Sequence, residues 1–240
     1  MNHAPKRILI VDDDADIREN LSDILSDMGY QTTCAHDGAS TLELVRNSEF
    51  EVALLDYRMP DMNGVTLYQQ IKKLRPSMAA ILITAWAGSR GASEARDEGT
   101  WDVFRKPVDM QRLLDRIDDV IQAPLILVVD DDHEFCDSLW QILNERDCRV
   151  SIAYNESQAI EQLQQQTFQI AIVDLKLGED DGRAVIERIA QSTPQAKTVL
   201  VSGHANDAQH LIDSLGAARV HLALPKPVDI DQLLAAIAIV

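Results

Sequence analysis

The residues of this 240-residue sequence best suited to chemistry are carboxylates placed where apolar runs end. Ile8-Leu9-Ile10-Val11 runs straight into Asp12, Asp13 and Asp14; Leu54-Leu55 ends in Asp56, Ile83 in Thr84, and a Lys106-Pro107 pair closes the series. Carboxylates that converge repel one another, and the ordinary resolutions are a raised pKa on one of them or a bound cation. With oxygen donors only, that cation is a hard one. Mg2+ fits, because it takes one or two carboxylates and completes its shell with water and phosphate oxygens, and Mn2+ shares the preference. A lysine supplies a point charge for a phosphoryl oxygen, and a threonine or serine hydroxyl donates a hydrogen bond to another. A carboxylate nucleophile, a divalent ion, a lysine and a hydroxyl together make a site for acyl-phosphate formation.

The elements that must position these residues occur twice. Ile8-Leu9-Ile10-Val11-Asp12-Asp13-Asp14 returns as Ile126-Leu127-Val128-Val129-Asp130-Asp131-Asp132, an offset of 118. The same offset carries Phe50 to Asp56 onto Phe168 to Asp174, Gly64 onto Gly182 and Thr84 onto Ser202. It then slips to 120, where Lys106-Pro107 matches Lys226-Pro227. Two domains, 1–123 and 124–240, explain the length better than one large domain. In the first copy, short β-branched runs predict strands near 7–11, 30–34, 51–55, 79–84 and 101–104. Helical periodicity predicts helices between them, most clearly over 15–28, with Ile17, Leu21, Ile24, Leu25 and Met28 on one face, and over 109–122. Alternating elements with continuously apolar strands argue for an α/β fold, a five-stranded parallel sheet covered by helices on both faces, in each half. Functional groups in such sheets gather beyond the carboxyl ends of the strands. Asp12, Asp13, Asp56, Thr84 and Lys106 should therefore meet on one edge, and Asp130, Asp131, Asp174, Ser202 and Lys226 on another.

Composition narrows the function. There are 22 Lys+Arg against 39 Asp+Glu, a formal charge of −17. The deficit is shared, with 14 basic against 21 acidic residues in 1–123 and 8 against 18 in 124–240. Direct binding to nucleic acid needs basic residues concentrated on one face, and none are. Cys34, Cys136 and Cys148 show no ligand spacing, which suits packed thiols in a reducing compartment. No uncharged apolar run approaches the roughly 18 residues of a membrane span, and Met1 to Arg7 carries no signal-peptide pattern. The expected location is the cytoplasm, without membrane insertion. The junction Gln122-Ala123-Pro124 is short, and its proline restricts Ala123, which predicts a fairly fixed pair.

Asp-Asp, Asp, Thr/Ser and Lys-Pro, in order and twice over, resemble the motif set of the receiver (CheY-like) domains of two-component response regulators, and the resemblance covers practically the entire chain. It implies two flavodoxin-like (βα)5 receivers in tandem. It further implies that Asp56 and Asp174 accept phosphate from a phosphohistidine on a histidine kinase or histidine phosphotransfer protein. Asp13 and Asp131 would ligate Mg2+ directly, Asp12 and Asp130 through its water, and the backbone carbonyls of Arg58 and Lys176 would complete the protein ligands. Thr84 and Ser202 would be switch hydroxyls, and Lys106 and Lys226 phosphate-binding lysines. Such a protein is no conventional enzyme. It works by protein contact with a downstream effector, and in receivers the fourth and fifth helices and fifth strand commonly form a homodimer or partner surface. The apolar last turn, Leu233 to Val240, either joins such a surface or packs on its own sheet. Asp14 and Asp132 read as helix caps.

Three features depart from the pattern. The aromatic residue usual three positions before the lysine is Val103 in one half and Ala223 in the other. Gly178 replaces Pro60, and the stretch before Lys226 is longer. Trp86 and His204, two residues past the switch hydroxyls, sit where a side chain could govern access of hydrolytic water; packing on the adjacent helix is the other reading of Trp86. Three alternative functions stand beside the receiver reading. One is an Asp-nucleophile phosphatase, although the large family of that kind carries D-x-D after its first strand. The others are a phosphate-independent interaction module and the receiver fragment of a longer regulator.

Overall fold

Strand β1 (Arg7–Val11) shows how the sequence builds the sheet. Its side chains alternate between faces. Ile8 and Ile10 enter one apolar cluster with Leu21, Leu25, Leu113 and Ile117, while Leu9 and Val11 enter another with Leu42, Val45, Val65 and Ile71. A strand buried on both sides has no polar face to show, which is why it reads as an unbroken apolar run. The computed structural model describes residues 5–85, 95–178, 180–203 and 220–237, with the side chain of Asp180 excepted. Trp86, His204 and residues 238–240 lie outside them.

The chain divides into two units, Met1–Ala123 and Pro124–Val240. In the first, β1 is followed by α1 (Ala15–Asp27), β2 (Gln31–Ala35), α2 (Gly38–Asn47), β3 (Val52–Asp56), α3 (Gly64–Leu74), β4 (Ala79–Thr84), β5 (Asp102–Arg105) and α4 (Met110–Gln122). The second has β6 (Leu125–Val129), α5 (His133–Asn144), β7 (Arg149–Ala153), α6 (Glu156–Gln165), β8 (Ile170–Asp174), the short β9 (Lys176–Leu177) and β10 (Asp180–Asp181), α7 (Gly182–Ser192), β11 (Lys197–Ser202), β12 (Leu222–Pro225) and α8 (Ile230–Ile237). Both main sheets are parallel, in the orders β2-β1-β3-β4-β5 and β7-β6-β8-β11-β12. Each is the flavodoxin-like order that the resemblance to receivers implies.

Register repeats as faithfully as sequence. Ile8 pairs with Thr32 and Val52, and 118 residues on Ile126 pairs with Val150 and Ile170. The two-residue slip falls between the last two strands, since Ile81 pairs with Asp102 but Val199 with Leu222. The insertion therefore lies in a connection and leaves the sheet register untouched.

Helix α1 begins on Asp14, whose carboxylate accepts from the amides of Asp16 and Ile17, and α5 begins the same way on Asp132. Both are N-caps that satisfy otherwise orphaned donors. Burying a residue such as Leu25, wholly out of solvent, contributes about 2 kcal/mol. The stripe anticipated on α1 is wider than the part the sheet covers: Leu21 and Leu25 are buried, but Ile24 is 38% and Met28 60% exposed. Ile24 lies on the flank of the stripe, and Met28 caps the helix where Gly29, at φ +91°, turns the chain back. Gly29 and Tyr30 donate to the carbonyls of Ser26 and Leu25, a Schellman closure. Asp147, at φ 55°, takes the glycine's place at the end of α5. In α8, Leu233 and Ile237 are buried in their own unit's core, so this end of the helix packs on its own sheet.

Candidate functional site

The carboxyl ends of β1 and β3 bring Asp12 and Asp56 to one edge of the first sheet, both almost fully buried. Lys106, immediately after β5, reaches between them. Its Nζ lies 2.7 Å from Asp12 Oδ2 and 2.6 Å from Asp56 Oδ1. The lysine is aimed by its own backbone, because its amide donates to the carbonyl of Thr84 at 2.8 Å. Asp56 Oδ2 accepts from the amide of Arg58 at 2.7 Å, and Asp12 Oδ1 from that of Asp14 at 3.0 Å. Thr84 ends β4 on the same edge and is buried; Asp13 is exposed beside the pocket.

The second unit repeats the arrangement. Lys226 Nζ lies 2.7 Å from Asp130 Oδ2 and 2.6 Å from Asp174 Oδ2, and its amide donates to the carbonyl of Ser202 at 2.9 Å. The longer stretch before Lys226 thus leaves its placement unchanged. Lys176 donates its amide to Asp174 Oδ1 at 3.1 Å. Phe135 lies under the ammonium, 5.2 Å from ring centroid to Nζ, a cation–π contact with no counterpart at Ile17 in the first unit.

Electrostatics follow from burial and pairing. Burial pushes the Asp56 carboxyl up, against the opposing pull of the Lys106 ammonium and the Arg58 amide. Burial does the same to Asp130. For both lysines burial disfavours the charge, but hydrogen bonds to the two aspartates outweigh it and leave the ammonium above its ordinary range. Each pocket therefore holds a permanent cation against its carboxylates.

One oxygen from each of Asp130, Asp131 and Asp174 lies within 4.8 Å of the others. Among the described residues, Asp12, Asp13 and Asp56 do not close to that distance. Oxygen donors of this number and kind fit a hard divalent ion.

The loops and helix heads around the site add further features. Glycine at the head of α3 lets the helix approach the acceptor strand: a Cβ on Gly64 would stand 2.5 Å from the Asp56 carbonyl oxygen, and one on Gly182 2.1 Å from that of Asp174. A single bridge, Arg58 to Asn63, closes the loop after Asp56. In the second unit the equivalent Lys176–Asp181 pair is joined by Leu177–Asp180, forming β9 and β10. The tighter hairpin turns at Gly178, φ +66°, a conformation that the proline at position 60 cannot adopt. Two side chains also reach the carbonyl of the first aspartate: Arg18 Nη1 donates to Asp12 O at 2.6 Å, and Cys136 Sγ to Asp130 O at 3.4 Å. Val103 and Ala223, where receivers usually carry an aromatic, are partly buried against the cores of their own units.

No helix among the described residues is long and apolar enough to cross a membrane. Comparison with known proteins gives the same answer for both units. The chain is 35% identical over 199 residues to a response regulator receiver protein of Anaeromyxobacter sp. (strain Fw109-5), covering 82% of this chain and 83% of that one. It is 33% identical over 122 residues to the transcriptional regulatory protein GlrR of Escherichia coli (strain K12), where the match spans 51% of this chain but only 28% of the relative. A receiver domain protein (CheY-like) of Methanospirillum hungatei JF-1, known from its crystal structure, is 36% identical with a TM-score of 0.47, over 48% of this chain and 92% of that one. The response regulator receiver domain family itself matches residues 8–118 and again 126–238. With both sheets in the flavodoxin-like order and both halves matched, the chain belongs to the response regulator receiver family, as two receiver domains in tandem.

Proposed function

We propose that Asp56 and Asp174 are phosphoacceptors, taking a phosphoryl group from a phosphohistidine on a histidine kinase or histidine phosphotransfer protein, and that the output is a protein contact with a downstream effector. The observation that carries this reading is the lysine bridge: Lys106 and Lys226 each pair with a strand-end aspartate and its neighbour at 2.6–2.7 Å. A carboxylate oxygen attacks phosphorus, the P–N bond breaks, and the imidazole leaves with the electron pair and is protonated. The lysine is positioned to follow the incoming phosphoryl oxygens as a point charge. Thr84 and Ser202, at the ends of neighbouring strands, donate to another phosphoryl oxygen as switch hydroxyls. Asp12, Asp13, Asp56 and the Arg58 carbonyl would hold Mg2+ in one unit, and Asp130, Asp131, Asp174 and the Lys176 carbonyl in the other. When bound, the ion neutralises charge developing on the transferred group. The domains would then be 1–123 and 124–240, working in the cytoplasm, with a homodimer through the fourth helix, fifth strand and fifth helix of a receiver as one further partner mode.

Incubation with Mg2+ and acetyl phosphate, read by intact mass, tests this. Two added phosphates are expected, one lost in Asp56→Asn and one in Asp174→Asn. A single phosphate lost in one variant alone would confine the chemistry to that unit. No phosphate, with the fold intact, would favour a phosphate-independent interaction module.

A further inference from the structure

The turns from β1 to α1 and from β6 to α5 are the same turn twice, yet a cation serves one and a thiol the other. Arg18 and Cys136 occupy equivalent positions, 118 residues apart. Each donates to the main-chain carbonyl of the first aspartate, one residue ahead of Asp13 or Asp131. A guanidinium is charged at every working pH. Cys136 is fully buried, and the S–H it donates to that carbonyl carries no charge. Among the described residues, the first unit thus sets a guanidinium against the carbonyl of its first aspartate where the second sets an uncharged thiol.

Two further observations run the same way. The carboxylates of Asp130, Asp131 and Asp174 are already gathered, while among the described residues those of Asp12, Asp13 and Asp56 are not. The hairpin bordering the second pocket brings acidic Asp181 to the position of Asn63. Its turn passes so close that a Cβ on Gly178 would stand 3.7 Å from Asp131 Oδ2.

We propose that Arg18 holds the divalent-cation affinity of the first receiver below that of the second, so that the Asp130–Asp131–Asp174 pocket fills first as the ion becomes available. This order rests on the reading that both pockets take a divalent ion, and it adds the residue that sets their ranking. Because phosphoryl uptake depends on the ion, the second receiver becomes competent at ion concentrations that leave the first inactive.

Mn2+ binding to the full chain, measured by the electron paramagnetic resonance signal of the free ion, reads the order directly. Two classes of site are expected, with the tighter removed by Asp131→Asn and the weaker by Asp13→Asn. Arg18→Met removes one charge at a half-exposed position, which should tighten the weaker class about three- to tenfold at ordinary ionic strength. The tighter class should stay where it is. Arg18→Lys keeps the charge and should bind as wild type does. The proposal is overturned if Arg18→Met, folded by circular dichroism, leaves the weaker class unchanged. It is also overturned if Arg18→Lys tightens that class as much as Arg18→Met, or if Asp131→Asn removes the weaker class. Failure of the intact protein to bind Mn2+ at either site would instead refute the reading of the pockets themselves.

Discussion

A methyl group placed at Gly64 should cost the first receiver both stability and its phosphoryl chemistry. The Cβ of Gly64→Ala would stand 2.5 Å from the Asp56 carbonyl oxygen and 2.6 Å from Leu82 Cδ2. Ordinary contact begins at 3.4 Å, so either α3 lifts from the sheet or the end of β3 moves. The strand end cannot move freely, because Asp56 is tied to Lys106 and to the Arg58 amide. Overpacking of this kind costs about 1–3 kcal/mol, set against a gain of up to about 1 kcal/mol when alanine replaces glycine in a helix. The net expectation is a loss on the order of 1–2 kcal/mol. Gly182→Ala should lose more, since its Cβ would stand 2.1 Å from the Asp174 carbonyl oxygen. Gly38→Ala is the control: the three atoms nearest its Cβ all belong to the Met62 side chain, from 2.6 Å, and a flexible methionine can swing aside at small cost. Urea unfolding by circular dichroism gives the stability order, and intact mass after acetyl phosphate gives the chemistry. If Gly64→Ala matches wild type in both, or if Gly38→Ala is as damaging, the close approach of helix to acceptor strand is not what holds the aspartate.

Without divalent ions, Lys106→Ala leaves Asp12 and Asp56 buried with no cation between them. The loss should reach up to about 3 kcal/mol, and added Mg2+ should restore part of it in a thermal melt. Tyr30, which donates its hydroxyl to Asp118, has its phenol pushed up to about 12 by burial and by that carboxylate. The folded value lies above the ordinary 10, so the stability it contributes is complete below pH 10 and is lost as pH rises towards 12; Tyr30→Phe should remove this part of the alkaline loss in melts across that range. The thiols should separate by reactivity: a maleimide near neutral pH modifies exposed Cys34 first, while buried Cys136 reacts only on unfolding, as peptide mass mapping will show. Asp147 holds a left-handed conformation at φ 55°, so Asp147→Gly should stabilise the second unit by about 0.5–1 kcal/mol, read as a rise in its unfolding midpoint.

Local pattern made much of this fold legible. Strands buried on both faces announce themselves as apolar runs, and the expected limits fall within a residue of those observed at β2, β3 and β5. The edge shared by Asp12, Asp56, Thr84 and Lys106 followed from their places at the carboxyl ends of parallel strands, which all lie on one side of the sheet. Contacts that depend on loop conformation were not legible. Asp61 accepts from the amides of Gly38 and Ala39 at the head of α2, more than twenty residues away, and nothing in its neighbourhood announces a distant cap. Nothing in the sequence sets Arg18 apart from the other charges of α1, yet its guanidinium reaches the Asp12 carbonyl. The β9–β10 hairpin had a single signal, glycine where proline stood in the other half. The width of the apolar face on α1 was overread, since periodicity reports which residues share a face but not how far the sheet extends beneath it.

The identical register of β1 and β6, the first strand of each unit, has a consequence for folding. Strand β6 offers Leu-Ile-Leu-Val-Val where β1 offers Arg-Ile-Leu-Ile-Val, and each sits at the same offset between its neighbours. Either strand could therefore satisfy the slot between β2 and β3, and a chain diluted from denaturant has two candidates for one vacancy. Strand exchange between like domains is a known failure of tandem repeats. Synthesis resolves the competition by time: at ~5–20 residues per second, the 118 residues separating the strands give β1 a lead of roughly 6–24 s. The order of emergence from the ribosome thus supplies a choice between partners that the strand sequences themselves do not make.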